Sequence, residues 1–526
     1  MKFQNKRSRT KLAALVLSAV SLFSMASCGG NGGTNNGEGG NGLGGSLKIS
    51  VARLGYGIEW LEALEKEFEK ETGIDVKIVS KVGNAGVAAL QTEAESLASD
   101  TDLFFNRQNF FAKKVYEGAI TVKGATYDCL YADLSDVWDS VVDEGSTATI
   151  KDKMNASYEQ SFNIAGKYYA MPWAGGVMGM ARNVTVWDSL GLTDEDMPLT
   201  TDQMFALCDR IKSQKAPFIF CMEDNYVEPF MNIWTAQYEG VANWEQILEG
   251  KDPDGNVTEH IFSYDGFMEM LEVVDKWVSK DSGYHHSKCD AVDFTQMQGL
   301  FLKNEALFCI NGTWLENEMR NLGTTSTIDY IRTPVISSII DKLDTVNTDA
   351  QLAEVIKYID AVDAGNTSAA KPDYVSDADL KAVTEARHYS FTSGGDGHQA
   401  YIPSYAKNIA QAKEFLKFMY SDKGLNIYYK TLNGATLPAQ PVGEYDASVT
   451  PSAFMASSNA AFRQGYVVNF TSNVKYFNLT GISMVFNQQQ SALKRMYNGE
   501  SAKVIYNDNV AISKGKFNSS KDAIIN

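Results

Sequence analysis

The folded body of the chain opens with a predicted strand, helix and strand. Residues 47–52 alternate apolar and polar positions, and residues 74–79 form the second strand. Between them, residues 59–72 place four apolar side chains on one helical face: Trp60, Leu61, Leu64 and Phe68. Gly73 is a natural cap for this helix. Such a unit predicts a parallel sheet, whose ligands lie beyond the carboxyl ends of its strands.

Further helical and strand patterns alternate along the chain. Residues 267–278 and 412–420 each carry an apolar stripe with helical spacing. Residues 341–387 differ, because they are polar, rich in Asp and Ala, and interrupted by Pro372. We interpret them as an insertion of surface helices. No repeat of 20 to 50 residues is visible, which argues against solenoids and propellers.

The first 27 residues have the pattern of an export signal. Residues 2–11 carry five basic side chains and no acid, and residues 12–23 are an apolar run. About a dozen apolar residues are too few to span a bilayer permanently, so the segment is predicted to be cleaved. Residues 25–28 (Met-Ala-Ser-Cys) resemble a bacterial lipobox, which implies cleavage before Cys28 and lipid attachment to its sulfur. The alternative is a soluble secreted protein.

Residues 28–46 are predicted to tether the folded body. After Cys28 this segment is almost entirely Gly, Asn and Thr, so it buries too little apolar area to fold. Its root-mean-square reach is about 25 Å. The remaining chain, about 480 residues, is longer than one hydrophobic core usually serves, which predicts two lobes.

The chain is acidic, with 65 acidic and 47 basic residues and a net charge of −18. Loss of the five basic residues of the leader makes that charge −23. This balance argues against nucleic acid or anionic lipid as a partner. No later apolar run reaches membrane-spanning length, so we expect membrane contact through the lipid anchor only.

Five cysteines follow Cys28, and their number and spacing do not suggest a disulfide framework. No pair has C-x-x-C spacing, and the chain is too long to need disulfides for its stability. Most are therefore predicted to be buried thiols. One bridge is left open, between Cys208 and Cys221, the closest pair.

Seven segments, in order, resemble the family 1 extracellular solute-binding proteins, the carbohydrate-binding group that includes maltose-binding protein. They are the opening strand–helix–strand unit, residues 102–105 (DLFF), 166–173 (GKYYAMPW), 182–183 (RN), 198–200 (PLT), 301–314 (FLKNEALFCINGTW) and 406–438. Each pattern is short, and their common order along the mature chain carries the resemblance. Asn304-Glu305 and Ala181-Arg182 depart from the family pattern.

The resemblance implies an α/β, two-lobed periplasmic-binding-protein-like fold (type II) with three interlobe crossings. By match to the family's segments, residues 47–172 and 334–422 form one lobe, and residues 173–333 and 423–526 form the other. The resemblance further implies a carbohydrate ligand, a membrane permease of an ATP-binding cassette importer as partner, and no cofactor. The mature body is large for this group, which favours an oligosaccharide over a monosaccharide. We expect a monomer on the extracellular face of the membrane.

Sugar recognition needs flat apolar rings and planar polar groups that pair with hydroxyls. Trp314, at the end of Asn311-Gly312-Thr313-Trp314, is the strongest stacking candidate, because the family's segment often delivers one there. The other ligand-binding candidates are Trp173, Trp234, Gln237, Tyr56, Asn106, Arg107, Asn311, Asp396 and His398. Each has a structural alternative: a core position for the tryptophans, a surface ion pair for Arg107 and a solvent turn for residues 393–398.

Metal and catalytic signals are weak. Residues 252–256 (DPDGN) have the Asp/Asn alternation of a calcium loop but lack its glycine position, and a hairpin turn is the alternative. His285, His286 and Cys289 offer three metal donors or a surface loop. No H-E-x-x-H, G-x-S-x-G or P-loop pattern is present, so the protein is not predicted to be an enzyme.

Two other function classes stay open at this point. A surface glycoside hydrolase needs a carboxylate pair that no sequence spacing reveals. An adhesin would bind another protein instead of a sugar. The sequence alone does not name the sugar, its linkage or its length.

Overall fold

The computed structural model describes residues 44–107, 111–222, 226–323, 326–393, 397–469, 473–484, 486 and 491–525. The predicted leader, Cys28 and all of the predicted tether before Gly44 lie outside these residues. Among the helices described, none is long and apolar enough to cross a membrane.

Two larger sheets and two short hairpins contain all fifteen strands of the described residues. The strands are β1 (Ser46–Arg53), β2 (Asp75–Val82), β3 (Leu103–Arg107), β4 (Ile120–Val122), β5 (Ala125–Tyr127), β6 (Asn163–Ile164), β7 (Lys167–Tyr168), β8 (Met171–Pro172), β9 (Val177–Asn183), β10 (Ala216–Ile219), β11 (Ala306–Gly312), β12 (Ile328–Ile331), β13 (Phe391–Ser393), β14 (His398–Tyr401) and β15 (Val467–Val468).

Helices surround these sheets. They are α1 (Glu59–Thr72), α2 (Gly83–Glu95), α3 (Phe111–Tyr116), α4 (Ser135–Trp138), α5 (Ile150–Lys153), α6 (Ala156–Phe162), α7 (Val184–Ser189), α8 (Thr201–Ile211), α9 (Val227–Glu239), α10 (Val241–Leu248), α11 (Gly266–Val278), α12 (Phe294–Leu302), α13 (Leu315–Glu318), α14 (Asp349–Asp363), α15 (Asp377–His388), α16 (Ile409–Met419), α17 (Asp422–Thr431), α18 (Ala453–Arg463), α19 (Lys475–Thr480), α20 (Ala492–Tyr497) and α21 (Ala502–Ile525). Two 3₁₀ turns occupy Asp194–Asp196 and Ser337–Lys342.

The first sheet has the strand order β2-β1-β3-β14-β8. β1 runs parallel to β2 and to β3, which confirms the predicted strand–helix–strand unit. α1 begins at Glu59 and ends at Thr72, and its four predicted apolar side chains are all buried. Gly73 follows in the left-handed region, with φ of 69°, and its N–H donates to the carbonyl of Glu69.

The second sheet has the order β10-β11-β9-β13-β15, with β12 also paired to β9. β10 is parallel to β11, whereas β9 is antiparallel to β11, β12 and β13. The chain passes from the first sheet to the second through residues 173–176, between β8 and β9. It returns to the first sheet between β13 and β14.

The predicted insertion, residues 341–387, contains the helices α14 and α15. α15 packs against α9, and β13 follows it directly in the second sheet. Conversely, α17 packs against α1, beside the first sheet. These contacts differ from the predicted division, which put residues 334–422 in the first lobe and 423–526 in the second. The reason is the hydrogen bonding of Phe391–Ser393 to β9 and β15, which ties the segment before it to the second sheet.

An ion network fixes the insertion to that sheet. The guanidinium of Arg387 donates two hydrogen bonds to the carboxylate of Asp360, both of 2.8 Å. Arg332, just after β12, bonds Asp360 and Asp363 at 2.8 and 2.7 Å. Because Arg387 is almost fully buried, its charge depends on these partners.

Candidate functional site

The two sheets meet around the hydroxyl group of Tyr56. This residue lies in the loop after β1, at the carboxyl end of that strand. Its hydroxyl donates to the carbonyl of Gly175 (3.0 Å) and bonds the hydroxyl of Thr313 (3.1 Å), which follows β11. Tyr56 is buried, and its ring therefore joins the ends of strands from both sheets. We call the region around these three residues the junction.

An aromatic pair lies beside the junction. Trp314 and Tyr226 stack with ring centroids 5.8 Å apart and planes inclined by 29°, and both rings are half-buried. The Trp314 ring lies directly over Gly312, where an added Cβ would come within 2.2 Å of the indole. Glycine at this position thus permits the close approach of the ring. A half-buried aromatic pair of this kind is a suitable platform for the apolar face of a ring-shaped ligand.

Tyr226 was not predicted from the sequence. It comes just before α9, shortly after the carboxyl end of β10. Its position after the carboxyl end of a strand could have indicated it, because ligands of α/β sheets lie beyond such ends, and the same rule selected Tyr56. The local pattern did not select it, because the pairing with Trp314 depends on the packing of β10 against β11.

Two carboxyl groups lie on α13, the short helix that directly follows Trp314. Glu318 ends the short helix α13, accepts a hydrogen bond of 2.7 Å from Gln298 Nε2, and packs against Gly55 of the first sheet's loop. Glu316 accepts a bond of 2.5 Å from the hydroxyl of Ser452. Burial raises the pKa of both carboxyl groups, and for Glu318 the bond from Gln298 and the charge of Arg107 oppose that rise.

Arg107 ends β3, on the first-sheet side of the junction. Its guanidinium is exposed and donates a hydrogen bond of 2.9 Å to the side chain of Asn84. Two further cations lie near Glu59: Arg53 is close enough to act on the charge of that carboxylate, and Arg320, in the segment after α13, bonds it at 3.1 Å. The ion pair of Glu59 and Arg320 links α1 to the segment after α13.

Trp173 and Asn106 form part of the packed interior beside the junction. The Trp173 ring stacks on Trp60 with centroids 5.6 Å apart, and its N–H donates to the carbonyl of Asn106 at 2.8 Å. The Asn106 amide in turn donates to the carbonyl of Val87. His398 contacts the edge of Trp173, with centroids 4.7 Å apart. These contacts favour the structural alternative for Trp173 and Asn106.

Trp234 and Gln237 lie further along α9, away from the aromatic pair. The Trp234 ring is fully buried against Phe230 and Trp277, and its N–H donates to the carbonyl of Pro334 at 3.2 Å. The Gln237 amide bonds the backbone of Tyr389 and of Ile336. Both side chains therefore join α9 to the chain segments around it, and neither presents a free polar group to a ligand.

Asn311 is also used within the fold. Its side-chain oxygen accepts from the N–H of Gly312 at 2.8 Å, and its carbonyl accepts from the Tyr330 hydroxyl at 3.0 Å. These bonds fix the end of β11, from which Trp314 projects. Asp396, the remaining candidate, lies outside the described residues.

The predicted metal signals resolve into local structure. The carboxylate of Asp252 accepts from the backbone of Asp254 and Asn256 and from the hydroxyl of Thr258, as in a tight polar turn. His285 bonds the carbonyl of Ser279, and Cys289 is buried. Within the described ranges, no group of three or more His, Cys, Asp and Glu side chains is spaced to hold a metal ion.

An open groove of about 1050 Å³ lies elsewhere, between α8 and α14. Its floor is apolar, formed by Leu199, Leu207 and Ala353, and its rim carries charges of both signs. Lys357 and Glu195 approach to 3.6 Å across it. The junction differs in having a paired aromatic platform, so we place the candidate site there.

Comparison with known proteins is consistent with this architecture. A family described as "Bacterial extracellular solute-binding protein" matches residues 63–442. A search of curated proteins by sequence finds no match.

Solved structures similar to the chain include three solute-binding proteins. RafE from Streptococcus pneumoniae, in its complex with raffinose, shares 16% identity and a TM-score of 0.56, covering 90% of this chain and 99% of RafE. Lmo0181 from Listeria monocytogenes, in complex with cycloalternan, shares 14% identity and a TM-score of 0.60, covering 90% of this chain and 99% of Lmo0181. Maltose-bound MalE3 from T. maritima shares 12% identity and a TM-score of 0.60, covering 90% of this chain and 99% of MalE3. These likenesses confirm the predicted two-lobed α/β fold.

Proposed function

Because the chain belongs to the family of bacterial extracellular solute-binding proteins, we propose that it captures an oligosaccharide and delivers it to an ATP-binding cassette importer. The family match confirms the resemblance to that class, which seven segments of the sequence indicated. The proposal names the ligand class and the partner, which the family description leaves open.

The aromatic pair of Trp314 and Tyr226 is the observation that carries the proposal. Its rings are half-buried, at the ends of strands, beside carboxyl and amide groups that pair with hydroxyls. Pyranose rings offer an apolar face for stacking and hydroxyls at their edges. The ligands named for the similar structures, raffinose, cycloalternan and maltose, support a carbohydrate.

In this proposal the two sheets belong to two lobes that close over the sugar. A ligand drives closure only by binding the closed arrangement better than the open one. The junction supplies contacts for the closed arrangement, since Tyr56 bonds Thr313 and Glu59 bonds Arg320. The chain is proposed to cross between the lobes three times, with Trp173 and His398 beside two of the crossings.

Calorimetry of the full chain with a panel of neutral oligosaccharides tests the proposal. We expect one sugar bound per chain, unchanged after incubation, and a change in tryptophan emission from Trp314. Alanine at Trp314 removes binding, whereas alanine at Tyr374, a half-buried ring on the insertion, leaves it intact. New reducing ends in the mixture would instead indicate a glycoside hydrolase, and binding of no sugar would contradict the proposal.

We further propose that lipid on Cys28 holds the protein at the outer face of the membrane. Acyl chains bind membranes at about 0.8 kcal/mol per buried methylene, so two or more chains anchor stably. Replacing Cys28 with Ser in the producing cell is expected to abolish incorporation of labelled palmitate and to release the protein into the medium. Retention of the Cys28→Ser protein in the membrane fraction would contradict the anchor.

A further inference from the structure

The chain crossing at residues 173–176 is built around two glycines. An added Cβ at Gly175 would come within 2.7 Å of the carbonyl oxygen of Thr436, so the backbone of the segment between α17 and α18 lies directly against it. Gly176 has a φ of 97°, in a region that other residues rarely adopt. Both positions therefore need glycine, and the path of the chain between the two sheets depends on them.

Thr313 contacts this crossing through its backbone and its side chain. Its N–H donates to the carbonyl of Val177 at 3.1 Å. Its side chain lies against Gly176, where an added Cβ would come within 2.3 Å of the hydroxyl oxygen and 2.8 Å of the methyl carbon. Thr313 is buried, so these contacts are made without solvent around them.

The hydroxyl of Thr313 begins a chain of two hydrogen bonds that ends on the crossing. Each hydroxyl carries one proton, and that of Tyr56 goes to the carbonyl of Gly175. The bond of 3.1 Å between the two hydroxyl groups is therefore donated by Thr313, whose oxygen lies further from that carbonyl, at 3.4 Å. Because Tyr56 follows β1, these bonds tie the first sheet, the crossing and the end of β11 together at one point.

Thr313 directly precedes Trp314, whose ring lies over Gly312. The three residues are consecutive, so the backbone that Thr313 fixes is the backbone from which the indole projects. A hinge between two lobes moves by changing the torsions of a few residues. Any such change at Gly175 or Gly176 displaces the partners of Thr313, and the indole is displaced with them.

We propose that Thr313 is a positioning residue that couples the crossing to the aromatic pair of Trp314 and Tyr226. The ring of Trp314 then reaches its sugar-binding position only when the crossing has the torsions described here. The inference rests on the proposed function, since it concerns how that site is presented to a sugar. In this role Thr313 acts through Trp314 and does not contact the sugar.

Fluorotryptophan NMR of the full chain tests the coupling without a ligand. The chain has eight tryptophans, and the resonance of Trp314 is identified by its loss in Trp314→Phe. Thr313→Val keeps the shape of the side chain but removes the hydroxyl, and it is expected to shift or broaden this resonance. Thr313→Ser keeps the hydroxyl and should return the resonance towards its position in the parent chain. An unchanged Trp314 resonance in folded Thr313→Val would overturn the inference.

Sugar binding provides a second readout. The probe is the tightest binder among raffinose, maltotriose and cellotriose, titrated by calorimetry. Thr313→Val and Tyr56→Phe are each expected to raise its Kd at least fivefold. The double variant should raise the Kd by less than the product of the two effects, because both substitutions break the same chain of bonds. A double variant whose effect equals that product would overturn the shared role.

Thr333→Val is the matched control. The Thr333 hydroxyl is also buried and also donates to a backbone carbonyl, that of Ser390, at 2.5 Å. Its loss is expected to lower the Tm while leaving the Trp314 resonance and the Kd unchanged. A shift of the resonance as large as in Thr313→Val would overturn the inference, because the loss of any buried hydroxyl would then suffice.

The inference and the proposed function fail in different ways. If none of the three sugars binds the parent chain, the proposed function is contradicted, and the NMR comparison still decides the role of Thr313. If a sugar binds and folded Thr313→Val matches the parent chain in both readouts, the inference fails and the proposed function stands. Thermal unfolding shows which variants fold, and Tyr56→Phe, which removes the other hydroxyl, replaces Thr313→Val if that variant does not fold.

Discussion

The three tryptophans that the sequence predicts at the site lie in very different surroundings. The N–H groups of Trp173 and Trp234 donate to backbone carbonyls, and their rings are fully buried against other aromatic rings. Trp314 is half-buried, and its ring lies over Gly312 and stacks on Tyr226. A side chain that is part of the core contributes to stability, whereas a half-buried ring at a site has surface left for a ligand.

The first prediction contrasts two alanine substitutions. Trp314→Ala is expected to raise the Kd for the sugar at least tenfold with little loss of stability, because the ring is not sealed in the core. Trp234→Ala is expected to lower the free energy of unfolding by about 3–5 kcal/mol, since it leaves a cavity in the interior. Calorimetry and urea unfolding measure the two effects. The reverse pattern would remove Trp314 from the site.

The second prediction concerns the carboxyl group of Glu318. Burial raises its pKa above the ordinary value of 4.5, so the folded chain holds the proton to higher pH than the unfolded chain. The protonated carboxyl group therefore contributes its full share to the free energy of unfolding below pH 4.5. That contribution is lost as the pH rises through the raised pKa of the folded chain. Glu318→Gln should remove that loss and raise the Tm at pH 7 by about 1–2 °C.

The control for this prediction is Glu62→Gln, an exposed carboxyl group on α1. Scanning calorimetry of both variants from pH 4 to pH 8 measures the difference. A Glu318→Gln protein whose Tm follows the same pH dependence as the parent chain would show that this carboxyl group is not destabilised by burial.

At the scale of elements, the insertion is joined to the second sheet by charge. Asp360 and Asp363 on α14 bond Arg332 and Arg387, which lie after β12 and at the end of α15. The Arg332 guanidinium also lies over the Tyr466 ring, 4.3 Å from its centroid. One network thus connects the two inserted helices to the residues next to β12 and β15.

The third prediction is that Arg387→Leu destabilises the protein by about 3 kcal/mol, since removing one partner leaves a carboxylate without its bidentate donor. Lys381→Ala, which removes an exposed pair with Glu385 on the same helix, should change stability by less than 1 kcal/mol. Urea unfolding measures both free energies. Equal effects would mean that the network does not anchor the insertion.

Periodicity predicted the elements better than it predicted the site. The stripe of α1 gave its bounds and its buried face, because both depend on residues close in the sequence. Trp234 and Trp314 have similar local patterns, and only the packing of α9 against its neighbours buries one ring while Gly312 lets the other lie near the surface. Tyr226 and Gln298 were missed because their roles come from partners far along the chain.

At the scale of the whole molecule, contacts at the junction and elsewhere join the parts of the chain that carry the two sheets. Tyr56 bonds Thr313, Glu59 bonds Arg320, and the Tyr116 hydroxyl donates to the carbonyl of Asn473 at 2.7 Å. Each contact is small, and together they favour the arrangement described here. A sugar bound at the aromatic pair would add contacts with the parts of the chain that carry both sheets, and would therefore favour this arrangement further.

The fourth prediction is that a bound sugar makes the protein more compact. A folded body of about 480 residues has an expected radius of gyration of about 23 Å when closed. Small-angle X-ray scattering should show a decrease towards that value on adding the sugar, and no change with a sugar that does not bind. Tyr56→Phe should enlarge the ligand-free protein. The same radius with and without sugar would contradict closure.

The five cysteines that the structure describes are all buried and form no disulfide, so Cys208 and Cys221 are not bridged, and the Cys221 thiol donates to the carbonyl of Val292. Burial raises the pKa of Cys208 and Cys289 to about 12, which leaves almost no thiolate at neutral pH. Thiol–disulfide exchange proceeds through the thiolate. A folded body without disulfides needs no oxidation step to reach this structure, so we expect its free energy of unfolding to be the same in reducing and in oxidising buffer.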